Sequence, residues 1–200
     1  MWLTRKALLS IGLFIVSYGI SLFLWIKFKV FYGEIVANIG AHLAAIVSGC
    51  LVESVRISQE KVVCQFIYHA LTVRGPAALH FQAIIFVSKY TYNVPLTISI
   101  IFSLYPWIRL RLKNVAEAIV LLFILHVVYV FIFCCLEIYH AFLKAGVKSL
   151  WWPEQLLWEY SWAFIKAMVI RFEPFLIGAF LWIRSYASLI GGELDAVSQK

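Results

Sequence analysis

The chain has 200 residues, of which 64% are hydrophobic and 14% are charged, and its mean hydropathy is +0.91. A soluble domain of this length cannot bury that much apolar side chain, so a lipid bilayer is the expected partner for much of it. The formal net charge of +7 comes without a clustered basic helix or a basic and aromatic platform. The sequence therefore argues against a nucleic-acid partner.

Hydropathy along the chain predicts a mainly α-helical, polytopic membrane protein with about four transmembrane helices. A small extracytoplasmic module containing β-strands is expected between the first two helices. The predicted segments, in chain order, are a cytoplasmic N-terminus at 1–6, a first span at 7–28, the extracytoplasmic module at 29–94, a second span at 95–110, a cytoplasmic turn at 111–115, a third span at 116–136, an extracytoplasmic loop with a Trp-rich interfacial helix at 137–173, a fourth span at 174–190 and a cytoplasmic tail at 191–200.

The module begins with a polar stripe, because Glu34, Asn38 and His42 follow one another at four-residue intervals. This spacing predicts a helix lying in the membrane interface over residues 30–50, and a second short span over the same residues is the alternative. Residues 52–88 then predict a small β-sheet, because apolar runs with partial alternation are separated by turn-forming segments. A sheet of about forty residues is too small to stand alone, so it is expected to lean on the helices or on a partner.

Basic residues near the spans set the expected orientation. Arg5 and Lys6, the cluster at 109–113, and Arg184 with Lys200 all fall on one side of the four-span arrangement. Four lysines fall on the other side: Lys27, Lys29, Lys144 and Lys148. That side is expected to be the cytoplasm, with both termini on it. The fourth span is expected to start at Pro174, because proline interrupts a helix.

His126, near the centre of the third span, is the strongest single candidate for chemistry, because ionisable groups at that depth often mark sites or relays. The competing interpretation is a neutral imidazole that is hydrogen-bonded to a neighbouring helix. Cys134 and Cys135 lie further along, so a membrane thiol nucleophile with His126 or His140 as its partner is conceivable. Cysteine in a packed helix more often acts as a small apolar residue, which favours a non-catalytic role.

Two further patterns leave alternatives open. Cys50 and Cys64 both fall in the module, where they form either a disulfide or two unpaired buried thiols. Three charged residues recur every seven positions, which aligns them on one helical face as either a seam for a partner or a solvated face. These residues are Glu159, Lys166 and Glu173. No metal-ligand spacing or phosphate-binding loop occurs, so neither a metal nor a cofactor is expected.

The stretch Tyr90-Thr91-Tyr92-Asn93-Val94-Pro95-Leu96 enters an apolar run that ends in the basic turn. This order of elements, across most of the chain, resembles the exosortase H-associated family of small bacterial membrane proteins. The resemblance implies an inner-membrane accessory protein that acts with an exosortase in sorting exported proteins, by presenting substrate or stabilising the enzyme. It carries over no catalytic residue, because the exosortase motifs find no match here. Tyr90, Tyr92 and Pro95 become candidate partner contacts.

The expected function is therefore that of a non-enzymatic integral membrane accessory protein of the bacterial inner membrane, crossing it several times. Its expected partners are the lipid bilayer and another membrane protein, suspected to be an exosortase. A membrane-embedded thiol enzyme of the Cys/His peptidase or transpeptidase type is the alternative, and a small transporter subunit is the third reading.

Overall fold

A computed structural model describes residues 2–58, 60–72, 75–108, 111–147 and 152–198. Within these ranges the chain is mainly helical and carries one small sheet, as the sequence predicts. The elements, in chain order, are α1 (Trp2–Ser48), β1 (Leu51–Ser58), β2 (Lys61–Thr72), β3 (Gly75–Phe86), α2 (Val87–Thr91), α3 (Val94–Ser103), α4 (Leu112–Ala145), α5 (Trp152–Phe164), a π-helical turn (Ile165–Val169) and α6 (Ile170–Ser198).

Helix α1 is one continuous element of 47 residues and is about 70 Å long at 1.5 Å per residue. The expectation of a separate interfacial helix over residues 30–50 is therefore wrong. The polar stripe and the glycines in this region do not interrupt the helical backbone. The helix ends at Gly49, whose φ of 71° is the left-handed conformation that glycine adopts after a helix, and the N–H of Cys50 donates to the Ala45 carbonyl.

The three strands form one antiparallel sheet in the order β1-β2-β3, which confirms the small sheet predicted over residues 52–88. The β1–β2 hairpin closes between Ser58 and Lys61, and β2 and β3 pair from Thr72 and Gly75 outwards to Lys61 and Phe86. The register between β1 and β2 shifts between Val52 and Ser54. This irregularity leaves one extra residue in β1 and bends that strand.

Two of the predicted spans differ in length from the observed helices. Helix α3 has 10 residues and ends at Ser103, where the predicted second span continues to 110. A turn over Leu104–Trp107 replaces the last part, consistent with Pro106, which disfavours helical geometry in the residue before it. Helix α4 has 34 residues, so it absorbs most of the predicted turn at 111–115 and extends beyond the predicted end at 136.

The expected break at Pro174 is also wrong, because Pro174 lies inside α6. The irregularity comes earlier, in the π-helical turn, where the N–H of Ile170 donates to the Ile165 carbonyl five residues back. Such a turn acts as one residue inserted into an α-helix and changes the helical register after it. Residues 152–198 are consequently helical throughout, with a shift of register at 165–169.

The chain divides into two compact units, of which the first comprises Met1–Lys27, Asn93–Phe123 and Arg171–Lys200. In this unit α3 runs antiparallel to α1. The Ser21 hydroxyl donates to the Pro95 carbonyl at 3.2 Å, and the Ser10 hydroxyl donates to the Ser103 carbonyl at 2.8 Å.

Helix α6 of the first unit runs in the same direction as α3. Near its beginning Glu173 accepts a hydrogen bond from Thr97, and one turn later Gly178 lies so close to Ile100 that an added Cβ would be 3.0 Å from the Ile100 side chain. Further on, Arg184 pairs with Glu117 at the start of α4, at 3.2 Å. The first unit thus contains four chain segments of alternating direction.

The second unit comprises Phe28–Tyr92 and Ile124–Ile170. It contains the sheet, the C-terminal part of α1, most of α4, and α5. Glycine permits a close approach at two positions of α1: an added Cβ would lie 2.6 Å from Val87 at Gly33 and 2.8 Å from Val130 at Gly40. The sheet therefore leans on helices of its own chain, one of the two possibilities that its size implies.

Candidate functional site

The inner face of the sheet packs on α4. The Phe142 ring lies 4.7 Å from the Tyr68 ring and 5.9 Å from the Phe81 ring, measured between centroids. Cys64 of β2 is fully buried and lies beside Cys134 of α4. Helix α4 therefore covers this face of the sheet, and the opposite face points outward.

The outer face of the sheet carries polar side chains beside the exposed Leu51 and Ile84. Ser54 donates to the Gln65 side chain at 2.6 Å, and Glu53 lies 3.4 Å from the His80 imidazole. An open concavity of about 310 Å³ crosses all three strands and is lined by Glu53, Gln65, His80 and Gln82. Phe81 also contributes to the lining, although its ring packs against Phe142. The surface offers both hydrogen-bond donors and acceptors to a neighbouring molecule.

The two edges of the sheet differ in a way that bears on function. Strand β1 has eight residues, carries Glu53 and Arg56, and has the register shift; charges and bulges of this kind discourage pairing with another strand. Strand β3 has 12 residues, contains no Asp, Glu, Lys or Arg, and pairs with β2 in unbroken register. Among the described residues no strand pairs with its other side. Strand β3 is thus the longer and less charged edge, and its one proline, Pro76, lies at its beginning.

The turn between β1 and β2 is held to its surroundings on two sides. The Glu60 carboxylate forms an ion pair with Lys29 of α1, and the Glu60 carbonyl accepts the N–H of Val87 at 2.9 Å. The hydrogen bond from Lys29, followed by its charge, holds the pKa of Glu60 below its ordinary 4.5. The sheet is therefore attached to α1 at the end where β3 passes into α2.

His126 lies in an aromatic cluster. It is fully buried, its Nδ1 shares a 2.7 Å hydrogen bond with the Tyr32 hydroxyl, and its ring meets the Tyr90 ring edge-on at 6.0 Å. Tyr90 also stacks on Tyr129 at 5.6 Å and donates its hydroxyl to the Gly33 carbonyl at 3.1 Å. This arrangement is the hydrogen-bonded imidazole that the sequence offers as the competing interpretation of His126.

Burial is the main reason that the pKa of the Tyr90 hydroxyl lies far above its usual value of 10. Tyr90 is therefore a permanent hydrogen-bond donor to the Gly33 carbonyl. Its complete burial means that it is an internal packing residue rather than a partner contact. Pro95 is likewise buried, whereas Tyr92 is 52% exposed and remains accessible.

Of the thiol and imidazole groups of the alternative enzyme hypothesis, His126 and Cys134 lie on different turns of α4. His126 and Cys134 are eight residues apart on one helix, which separates them by about 12 Å along its axis. Cys134 lies beside Cys64, and Cys135 lies beside Ser48 and near Cys50, with both α4 thiols buried. The ring of His140 is tilted against Tyr139 at 5.7 Å.

The disulfide considered between Cys50 and Cys64 is not formed, and all four cysteines are free thiols. The strand register explains why. Leu51 pairs with Ile67, so Cys50 lies about four strand residues from Cys64, or roughly 13 Å, which a disulfide cannot bridge.

The predicted charged seam is broken by the π-helical turn. Glu159 and Lys166 are exposed, with Glu159 bonded to Gln155 at 3.0 Å and Lys166 over the Trp162 ring at 5.6 Å. Glu173 follows the inserted residue and is fully buried, accepting a hydrogen bond from the buried Thr97 at 3.3 Å. The seven-residue spacing aligns side chains only in an uninterrupted α-helix, so Glu173 is not a surface contact.

Two features of this site, the role of Tyr32 and the free edge of β3, are not predicted from the sequence. Tyr32, the partner of His126, looks in the sequence like any aromatic residue near the end of a span, and only tertiary contacts identify it. The free edge of β3 does have a signal, a stretch of 12 residues without Asp, Glu, Lys or Arg, but strand order decides which strand is central.

Comparison of the chain with protein-family models, with curated proteins and with solved structures found no match.

Proposed function

We propose that this chain is an integral protein of the bacterial inner membrane that crosses it about four times, with both termini in the cytoplasm. Helices α1 and α4 are long and apolar enough to cross a bilayer, and the most apolar stretch of α1 is almost wholly uncovered by the rest of the chain. Leu8, Ile15 and Phe23 are each more than 60% exposed. An exposed apolar helix surface of this kind is stable in contact with lipid rather than with water.

The alternating segments of the first unit support the four crossings. Helix α3 is only about 15 Å long, but the chain from Pro95 to Trp107 runs back along α1 from Ser21 to Ser10, where the Trp107 indole donates to the Ser10 hydroxyl at 2.5 Å. It therefore retraces about half of the first span, roughly 17 Å, although the helix itself is short. The direction of α6 then returns the chain to the side of Lys6.

This topology changes the depth assigned to His126. Its partner Tyr32 follows the predicted end of the first span at Phe28 by four residues, about 6 Å along the helix. If residues 7–28 cross the hydrocarbon, His126 lies at the extracytoplasmic surface of the inner membrane rather than at the middle of the bilayer. A histidine at the boundary, bonded to tyrosine, favours a structural over a proton-relay role.

The biochemical role that we propose is that of a non-enzymatic accessory protein, whose sheet binds an extended segment of an exosortase-type membrane peptidase through the free edge of β3. The observation that carries this proposal is the contrast between the two edges. An uncharged strand of 12 residues in regular register offers backbone N–H and C=O groups that an added strand can pair with, while its exposed outward side chains set specificity.

Co-purification in mild detergent tests this role with a matched pair of variants. Ile84→Lys places a charge on the free edge of β3 at a side chain that is 45% exposed, and Leu51→Lys places the same charge on β1 at a side chain that is 61% exposed. Recovery of the peptidase, measured by quantitative mass spectrometry, is expected to fall about tenfold with Ile84→Lys, a cost of about 1.4 kcal/mol. Recovery with Leu51→Lys is expected to match the wild type.

Purification of the wild-type protein without any such peptidase would refute the partner. An equal loss with both variants would refute the β3 edge as the binding surface, because a general effect on the sheet would then explain it.

A further inference from the structure

A cavity at one end of the first unit combines aromatic rings with one cation, counted among the lining residues that the structure describes. It has a volume of about 340 Å³ and is open on one side. Its lining comes from α1, from the turn after α3 and from α6: Lys6, Tyr105, Pro106, Trp107, Ile108, Trp182, Ser185 and Tyr186.

The lysine of this cavity is held by indole rings. The Lys6 ammonium lies 4.1 Å from the centroid of the Trp2 ring and 5.8 Å from that of the Trp107 ring. The Trp107 indole is itself fixed by its hydrogen bond to Ser10. Lys6 is thus half-buried and confined, whereas a surface lysine samples many directions.

The charge balance of the cavity favours an anion. No carboxylate is among the lining residues that the structure describes, and the Glu117 carboxylate is paired with Arg184, the residue before the lining residue Ser185. The exposed hydroxyls of Tyr105 and Tyr186 add neutral hydrogen-bond donors at the rim. One cation with hydroxyl donors around it suits a phosphate group.

The position of the cavity along the chain favours a phosphate that belongs to a lipid. Lys6 immediately precedes the predicted first span, so it lies at headgroup depth if that span crosses the membrane. Four aromatic rings line the cavity at the same level as Lys6: those of Tyr105, Trp107, Trp182 and Tyr186. Trp and Tyr concentrate at this depth, where one end of the side chain is apolar and the other is polar.

We propose that this cavity binds the headgroup phosphate of an anionic phospholipid, with Lys6 as the charge partner and the aromatic residues as its walls. The site rests on the membrane insertion proposed above and is independent of the β3 edge. An anionic lipid bound here would hold the turn after α3 against α1 and α6 at the membrane surface.

Native mass spectrometry of the full chain, extracted in detergent and mixed with equal amounts of phosphatidylglycerol and phosphatidylcholine, tests the site. The wild type is expected to retain phosphatidylglycerol in preference to phosphatidylcholine. Lys6→Gln is expected to lower that preference about fivefold, the factor that one lysine near an anionic surface contributes, and Lys6→Arg is expected to keep it. Lys144→Gln, in the last turn of α4, is the control for loss of one charge elsewhere and is expected to leave the preference unchanged.

Equal retention of the two lipids by the wild type would overturn the proposal, as would an equal effect of Lys6→Gln and Lys144→Gln. A second arm adds inorganic phosphate alone: displacement of the lipid by millimolar phosphate would assign the site to a free anion instead. Loss of peptidase co-purification with intact lipid preference would refute only the accessory role. Release of the chain from membranes by alkaline carbonate would refute the insertion on which both depend.

Discussion

At the scale of single residues, the glycines of α1 look alike in the sequence but differ sharply in surroundings. An added Cβ at Gly40 would lie 2.8 Å from the Val130 side chain and 3.1 Å from the Phe131 backbone nitrogen. At Gly12 and Gly19 an added Cβ would meet no described atom within 4 Å. Sequence alone reports only that a small residue is present, because the atom that requires it lies some ninety positions away.

Substitution of alanine at two of these glycines is expected to act in opposite directions. Gly40→Ala forces α1 away from α4 and is expected to lower stability by about 1–3 kcal/mol, the usual cost of overpacking. Gly12→Ala has open space and improves helix propensity, so it is expected to be neutral or stabilising by up to about 1 kcal/mol. Thermal unfolding of both variants in the same detergent, followed by circular dichroism, measures the difference. Equal midpoints would show that the close approach at Gly40 is not a constraint.

At the scale of elements, the strands are predictable from the sequence and the helix boundaries much less so. The sheet is recognisable because Ser58-Gln59-Glu60 ends one apolar run abruptly. The union of two predicted helices into α1 is not recognisable, because a polar stripe at four-residue spacing fits both an interfacial helix and the continuation of a longer one. The π-helical turn at Ile165–Val169 has no proline or glycine to announce it.

The attachment of the β1–β2 turn to α1 makes the stability of the sheet sensitive to acid. Lys29 lowers the pKa of Glu60, so the pair stabilises the fold above the ordinary pKa of 4.5, and this contribution disappears as the pH falls through the lowered value. Both side chains are partly exposed, so the effect is expected to be small and to weaken in high salt.

The comparison of wild type with Glu60→Gln isolates this contribution. The variant is expected to unfold at a lower temperature than the wild type at pH 7, and the two midpoints are expected to converge as the pH is lowered towards 3. Glu159→Gln, whose carboxylate is bonded to Gln155, serves as the control for loss of a carboxylate. A constant difference between wild type and Glu60→Gln from pH 7 to pH 3 would contradict the ion pair as its source.

At the scale of the whole molecule, the proposed arrangement of the spans determines on which side of the membrane the sheet would lie. The charge pattern in the sequence predicts the sheet outside, and the antiparallel course of α3 along α1 supports an even number of crossings. Composition alone predicts the membrane class, because it needs only the sum of the side chains. The order and length of the crossings depend on which segments pack together, and this is a tertiary property.

Fusion of a reporter after Glu60 is expected to place it outside the cytoplasm. Alkaline phosphatase joined there is expected to be active, and the same enzyme joined after Lys113 is expected to be inactive, since it folds only after export. Green fluorescent protein at the two positions supplies the reciprocal measurement. Active phosphatase at Lys113 with an inactive fusion at Glu60 would invert the proposed topology.

The four free thiols of the second unit have a practical consequence. Because Cys50, Cys64, Cys134 and Cys135 are all buried, a maleimide reaches them through local opening of this unit. The rate at which the native chain takes up label therefore measures local opening of this unit without any engineered probe. A partner that docks on the sheet is expected to slow that labelling. Its binding can therefore be measured as a slower increase of the protein's mass over time.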